Sequence, residues 1–187
     1  MTTTTFLSNH FLIAMPTLTD PYFAQGVTYI CEHNANGAIG IVINHPLGIN
    51  LSEVLSQLEI TAVKSEINEL PVLCGGPVHP ERGFVIHTPC GKWRSSLEMS
   101  KEVSVTTSRD ILQAIAQNEG PEEMIVSLGY SNWNAGQLEQ EIIDNFWLFC
   151  PADTNVLFRL PFEKRWQAAL DLLGINISQL SSDIGHA

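Results

Sequence analysis

Along the first half of the chain, apolar positions come in short runs and alternations bounded by turn residues, a pattern that predicts strands. His10 to Ala14 is an apolar run stopped by Met15-Pro16. From Gln25 to His33 apolar and polar positions alternate, and Val27, Thr28, Tyr29 and Ile30 are β-branched or aromatic; Ala38 to Asn44 is a continuous Ile/Val run. Asn34-Ala35-Asn36-Gly37 between them is turn chemistry, so the two runs are expected to form a hairpin. The period then changes. Leu51, Val54, Leu55 and Leu58 fall at helical spacing behind Asn50 as cap, with Glu53 three residues on. Positions 61–70 read as a polar loop, and Val72 to Cys74 and Gly83 to His87 as strands around Gly75-Gly76-Pro77.

The second half turns helical. Thr107 to Asn118 opens on a Thr107…Asp110 cap, sets Ile111, Leu112 and Ile115 on one stripe and stops at Gly120-Pro121. Glu123 to Leu128 reads as a buried strand, 129–136 as a polar loop holding Tyr130 and Trp133, Gly136 to Asn145 as a helix capped by Asn134, and Phe146 to Cys150 as a strand. Pro161 suits the first position of a final helix with the stripe Phe162, Trp166, Ala169, Leu170 and Leu173, ending at Gly174. Strands early, helices late and one strand-helix-strand stretch over 103–150 favour an α+β class over a doubly wound sheet. No repeat, low-complexity tract or linker divides residues 1–187, so a single domain is expected.

Composition narrows the partners. With 44% apolar residues the chain can bury a core, while 9 Lys+Arg against 20 Asp+Glu give a net charge of −11. Binding by phosphate neutralisation needs clustered cations. The densest ones here, Arg82, Lys92, Arg94 and Lys101, are interleaved with Glu81, Glu98 and Glu102, so nucleic acid is disfavoured. No apolar run approaches a membrane span, and the Met-Thr-Thr-Thr-Thr start lacks the basic region of a signal peptide, so a cytoplasmic protein without membrane contact is expected. Cys31, Cys74, Cys90 and Cys150 contain no CxxC pair and are expected as free thiols.

The common phosphate-loop, dinucleotide, nucleophile-elbow and zinc-helix fingerprints are absent, which removes the usual supports of an enzyme assignment. Cys31-x-His33 with Cys74 and His79 offers zinc-type ligands without zinc-type spacing, so neither metal nor cofactor is expected. If 27–33 is a regular strand, Cys31 and His33 share a face, and a histidinium there would favour the thiolate; the plainer reading is a core thiol beside a loop-edge imidazole. Gly75 and Gly76 could turn backbone N–H groups toward an anion or simply turn the chain. Asn34, His87, Tyr130 and Trp133 complete a candidate ligand surface. Gly136, read as a first-turn residue, suggests close approach by another group.

The strings FLIAMPTLTDPYF at 11–23, VTYICEHNANGAIGIVINHPL at 27–47, CGGPVHPERGFVIHT at 74–88, TTSRDIL at 106–112 and LGYSNWNAGQLEQEI at 128–142 resemble the AlgH/YqgE family of bacterial proteins. The resemblance runs from about residue 6 to Gly185-His186-Ala187. It implies an α+β domain with a mixed, mostly antiparallel sheet curled into a partial barrel and helices packed mainly from the C-terminal half. It supplies no catalytic residues and no cofactor; the family carries chiefly a transcriptional-regulator label. Two functions stand as expectations: a non-enzymatic regulatory or binding protein contacting a protein or small ligand, and a thiol enzyme or redox sensor using Cys31 with His33.

Overall fold

The computed structural model describes residues 5–182; the Thr-rich start before residue 5 and the Gly185-His186-Ala187 end of the family resemblance lie outside the described residues. In chain order the elements are β1 (His10–Ala14), β2 (Val27–Asn34), β3 (Gly37–Val42), β4 (Pro46–Asn50), α1 (Leu51–Gln57), α2 (Ser65–Asn68), β5 (Pro71–Cys74), β6 (Val78–Thr88), β7 (Ser96–Glu98) and β8 (Ser104–Thr106). Then come α3 (Arg109–Ala116), β9 (Glu123–Asn134), α4 (Gln137–Ile143), β10 (Trp147–Pro151), α5 (Thr154–Phe158), α6 (Phe162–Leu172) and α7 (Ile177–Ser182). The strand order is β10-β1-β2-β3-β9-β6-β8-β7, antiparallel along this path; β5 adds in parallel to β9 and carries β4 on its other side.

The fold is α+β, with the sheet curled into a half-barrel. The curl centres on β9. Its Ser131–Asn134 end pairs with β3, while its Glu123–Leu128 half pairs with both β5 and β6. Gly129, at φ +78, sits where the strand passes from one set of neighbours to the other, and a Cβ there would press on the Gly76 carbonyl at 2.5 Å. Gly75 and Gly76 approach the backbone of Gly129 and Tyr130 from the opposite side just as closely. These glycines let the 75–76 and 129–130 backbones cross in contact, which gives them a packing role.

Both sheet faces are covered, which is why so many strands read as unbroken apolar runs. One face holds Phe11, Tyr29, Ile41, Ile86 and Ile125 against Leu157, Ala169 and Leu170 of α5 and α6. The other holds Val72, Val85 and Val126 under α1 and α3, and Ile30, Ala38, Trp133 and Trp147 under α4.

Several expectations are corrected. The 61–70 segment contains α2. α3 is capped at Ser108, not Thr107, and the Ser108 hydroxyl donates to Asp110. Asn50 holds the cap position of α1 without a side-chain cap bond. The supposed 129–136 loop is strand as far as Asn134; only Ala135 and Gly136 turn, and α4 begins at Gln137. Pro161 is the N-cap of α6 rather than its first residue, and the buried stripe includes Arg165 while Leu173 is exposed. Among the described residues, no helix is long and apolar enough to cross a membrane.

Candidate functional site

A cavity of about 510 Å³ lies on the outer side of the β6–β9 pairing, between α1 and α3. Val54 and Leu58 form one wall, Ile111 and Leu112 the other, and Phe84 and Leu128 the floor. Both walls arise from helices whose apolar stripes are wider than their contact with the sheet. Leu51, Leu55, Ile111 and Ile115 turn into the core, and Val54, Leu58 and Leu112 remain half-buried beside the opening. Gln57, Glu81, Thr107, Ser108 and Arg109 rim it. Arg109 donates to the Leu58 carbonyl, tying the start of α3 to the end of α1.

The start of α3 at this rim is not free to receive an anion. Asp110 occupies the first turn of α3, accepting from the Arg94 backbone N–H at 2.9 Å and from the Ser108 hydroxyl. Burial pushes its carboxyl up, but the hydrogen bonds from Ser108, Arg94 and Ile111 outweigh that and hold it below the usual carboxylate range. The positive end of the helix dipole is thus already answered by the chain's own carboxylate. What the groove offers a visitor is apolar surface, with the Thr107 and Ser108 hydroxyls, Gln57 and the oppositely charged Glu81 and Arg109 at its edge.

The residues singled out in the sequence do not line one concavity. Ile30 pairs with Gly40 and Glu32 with Ile39, so Cys31 is the extra residue of a β-bulge. One inserted residue reverses the alternation. Cys31 therefore joins Tyr29 and Ile41 on one face, while His33, opposite Ala38, falls on the other face with Ile30. The shared face that a thiolate–imidazolium pair requires does not form. Burial, reinforced by the Glu32 charge, pushes the Cys31 thiol up to about 12, and its sulfur faces the Tyr29 carbonyl at 3.8 Å.

His33 is fully engaged. Its Nδ1 accepts from the Leu7 N–H at 3.0 Å and its Nε2 lies 2.8 Å from Glu139, with the Phe6 ring edge-on at 5.3 Å. His87 is equally enclosed, with Nδ1 3.0 Å from the Pro89 carbonyl, Nε2 2.7 Å from the Thr106 hydroxyl and Trp93 edge-on at 5.0 Å. Burial pushes its imidazole down, partly offset by the bond to Pro89. A hydroxyl–imidazole pair exists there, but His87 and Thr106 are both fully buried.

Asn34 and Trp133 share a shallow recess of about 190 Å³ beside the β2–β3 turn. Gly75, Gly76 and Tyr130 meet at the β5–β9 crossing, where Tyr130 stacks on His79 at 6.0 Å. Gly136 stands apart with nothing within 4 Å of its would-be Cβ; its φ of +77, not close approach, explains the glycine. Among the described residues, no three His, Cys, Asp or Glu side chains form a cluster that could hold a metal ion, and all four cysteines are free. The groove was not among the sequence candidates. Its one sequence signal is the surplus of apolar residues on α1 and α3, which reads equally well as core.

A family model described as AlgH-like matches residues 11–178. A UPF0301 protein of Methylococcus capsulatus is 55% identical over 181 residues, covering 97% of this chain and 96% of its own. A UPF0301 protein of Thioalkalivibrio sulfidiphilus is 55% identical over the full length of both chains, 187 residues here. Among solved structures, the solution structure of the AlgH protein from Pseudomonas aeruginosa superposes with a TM-score of 0.81 at 49% identity, covering 100% of this chain and 99% of that one. A crystal structure from Corynebacterium diphtheriae has a TM-score of 0.74 at 17% identity, over 97% and 94% of the two chains, a likeness of fold alone.

Proposed function

The chain belongs to the AlgH-like family, and we propose that it acts as a non-enzymatic binding protein taking the uncharged, apolar body of a small molecule into the α1–α3 groove. The observation that carries this reading is the groove itself. Its volume of about 510 Å³ falls in the range of small-molecule sites, and its walls are apolar with a few polar groups at the rim. The rim hydroxyl of Ser108 is bonded to Asp110, and no imidazole or thiol lines the cavity. A regulatory role follows if occupancy changes how α1 and α3 present their exposed faces to a partner. The thiol reading is opposed by the burial of Cys31 and its separation from His33, and nucleic acid by the net charge of −11.

Titration of the full chain with N-phenyl-1-naphthylamine, a neutral apolar fluorophore, tests the proposal. Saturable one-site enhancement is expected, weakened about tenfold or more in Leu112→Glu, whose melting temperature stays that of the parent. Enhancement that does not saturate, or that Leu112→Glu leaves intact, overturns it. Stoichiometric capture of a protein with no response to the fluorophore would make the groove a protein interface instead.

A further inference from the structure

Among the described residues, Arg165 has no counter-charge. It is the fourth residue of α6, only 3% exposed, and packs beside Ala169 and Leu170 on the face that α5 and α6 cover. Its Nη1 donates to the Ile43 carbonyl at 2.6 Å, its Nε donates to the Leu160 carbonyl at 3.1 Å, and its guanidinium carbon lies 4.7 Å from the centre of the Phe162 ring. A guanidinium has five N–H donors in a planar fork. Those two bonds leave the rest of the fork without an acceptor among the described residues. No carboxylate among them forms an ion pair with it. Glu123 is engaged elsewhere, held by Arg159 at 2.9 Å.

Three physical terms then point the same way. A buried charge that meets only neutral carbonyls keeps most of its desolvation cost, and burial pushes the guanidinium down to about 10. Its place in the first turn of α6 adds the positive end of a helix dipole rather than opposing it. In a chain of net charge −11 the missing partner is not for want of carboxylates. Beside the guanidinium a cleft of about 130 Å³ opens between the start of β9, β5 and the α5–α6 turn, walled by Leu70, Pro71, Leu73, Met124, Phe158 and Phe162. Among the described residues, Arg165 is its one charged lining residue.

We propose that this cleft is a binding site for a small aliphatic monocarboxylate, its carboxylate on the free edge of the Arg165 fork and its short tail against Leu73, Met124 and Phe158. The planar fork matches a carboxylate in two parallel hydrogen bonds. A cleft with room for roughly four waters' worth of liquid suits a tail of a few carbons. Apolar walls and a single cation disfavour a phosphate dianion, whose second charge would be buried unanswered. The site and the α1–α3 groove are separate cavities whose linings share Val126.

The test is thermal melting and two-dimensional amide NMR of the full chain with 3-methylbutanoate and with 3-methylbutanamide, the same shape without the charge. The carboxylate is expected to raise the melting temperature in a saturable way and to shift amides around Leu73, Met124 and Arg165, while the amide does neither. Arg165→Met, which keeps the bulk and removes the charge, is expected to melt at or above the parent and to weaken carboxylate binding about tenfold or more. Met124→Phe fills the cleft, keeps the cation and loses the response as well, which preserves the test if Arg165→Met does not fold. Equal responses to acid and amide overturn the proposal, as does binding that survives in either variant. A carboxylate without effect, together with a destabilised Arg165→Met, makes Arg165 a structural tie between α6 and the chain just after β3 instead.

Discussion

Cys31 shows how far one residue's neighbours decide its chemistry. In sequence it stands two positions from a histidine, the spacing that puts side chains on one face of a regular strand. The bulge that places it opposite Gly40 together with Ile30 sends it into the core instead. A thiol held neutral by burial is a poor nucleophile. Native Cys31 is therefore expected to resist iodoacetamide at pH 8 while the half-buried Cys74 and Cys90 are modified; peptide mass spectrometry reads each site, and alkylation of Cys31 at the rate of Cys74 would count against its burial. Gly136 carries the opposite lesson. Its surroundings are empty, so space does not forbid a side chain, yet a left-handed φ costs an L-residue about 1–2 kcal/mol. Gly136→Ala is expected to lower stability by about 1 kcal/mol and Gly136→Asn by less, measured by urea denaturation. Equal stability of parent and Gly136→Ala would show that the turn relaxes. Neither outcome was legible from composition, because a bulge and a positive φ are set by pairing partners that the local sequence does not name.

At the scale of elements, what is local was legible and what depends on distant pairing was not. The β2–β3 hairpin followed from Asn34 to Gly37 between two apolar runs, and α3 from its stripe, because each signal lies within one element. The second half of β9 does not read as strand because Gly129, Ser131, Asn132 and Asn134 look like loop chemistry; in fact Asn132 and Asn134 face solvent while Ser131 and Trp133 are buried, the alternation of a strand paired to β3. β4, mostly exposed and containing Pro46 and Gly48, gave no apolar signal. The α1–α3 groove has no sequence mark distinct from core, since it exists only where two helices stop short of each other. How α4 is fastened to the sheet is also a matter of pairing. Oε2 of Glu141 accepts from the indole N–H groups of both Trp133 and Trp147 at 2.9 Å, and Oε1 accepts from Gln137 at 2.9 Å. Glu141→Ala strips both indoles of their acceptor and is expected to cost about 3 kcal/mol, with Glu141→Gln, which keeps an acceptor oxygen, costing less. Urea denaturation followed by tryptophan fluorescence compares them. Equal losses in the two variants would mean that the clamp contributes packing alone.

For the whole molecule, the buried titratable groups define a pH window of stability. His87 has a depressed pKa in the fold, so its contribution is complete above the unfolded value of about 6.5 and is lost as pH falls through the folded one. Glu139 and Asp110 are also depressed: burial raises each, but hydrogen bonds outweigh it, from its own N–H and His33 for Glu139 and chiefly from Ser108 for Asp110. Their share is lost at lower pH, from about 4 downward. On the alkaline side the sign reverses. Cys31, raised to about 12, and Tyr29, raised by burial, stay protonated in the fold while the unfolded thiol ionises near 8.5 and the unfolded phenol near 10. Their contribution is complete below those unfolded values and is lost as pH rises toward the folded ones. The urea midpoint is thus expected to be flat between about pH 6.5 and 8.5 and to fall on both sides. Two variants separate the limbs. Cys31→Val should make the decline just above pH 8.5 shallower, leaving the part due to Cys150, whose thiol burial also pushes up, and His87→Gln should remove the first part of the acid decline while leaving the carboxylate part near pH 4. A parent midpoint that climbs through pH 9, or a Cys31→Val variant with the parent's alkaline slope, would mean that the buried thiol is not what the alkaline limb reports.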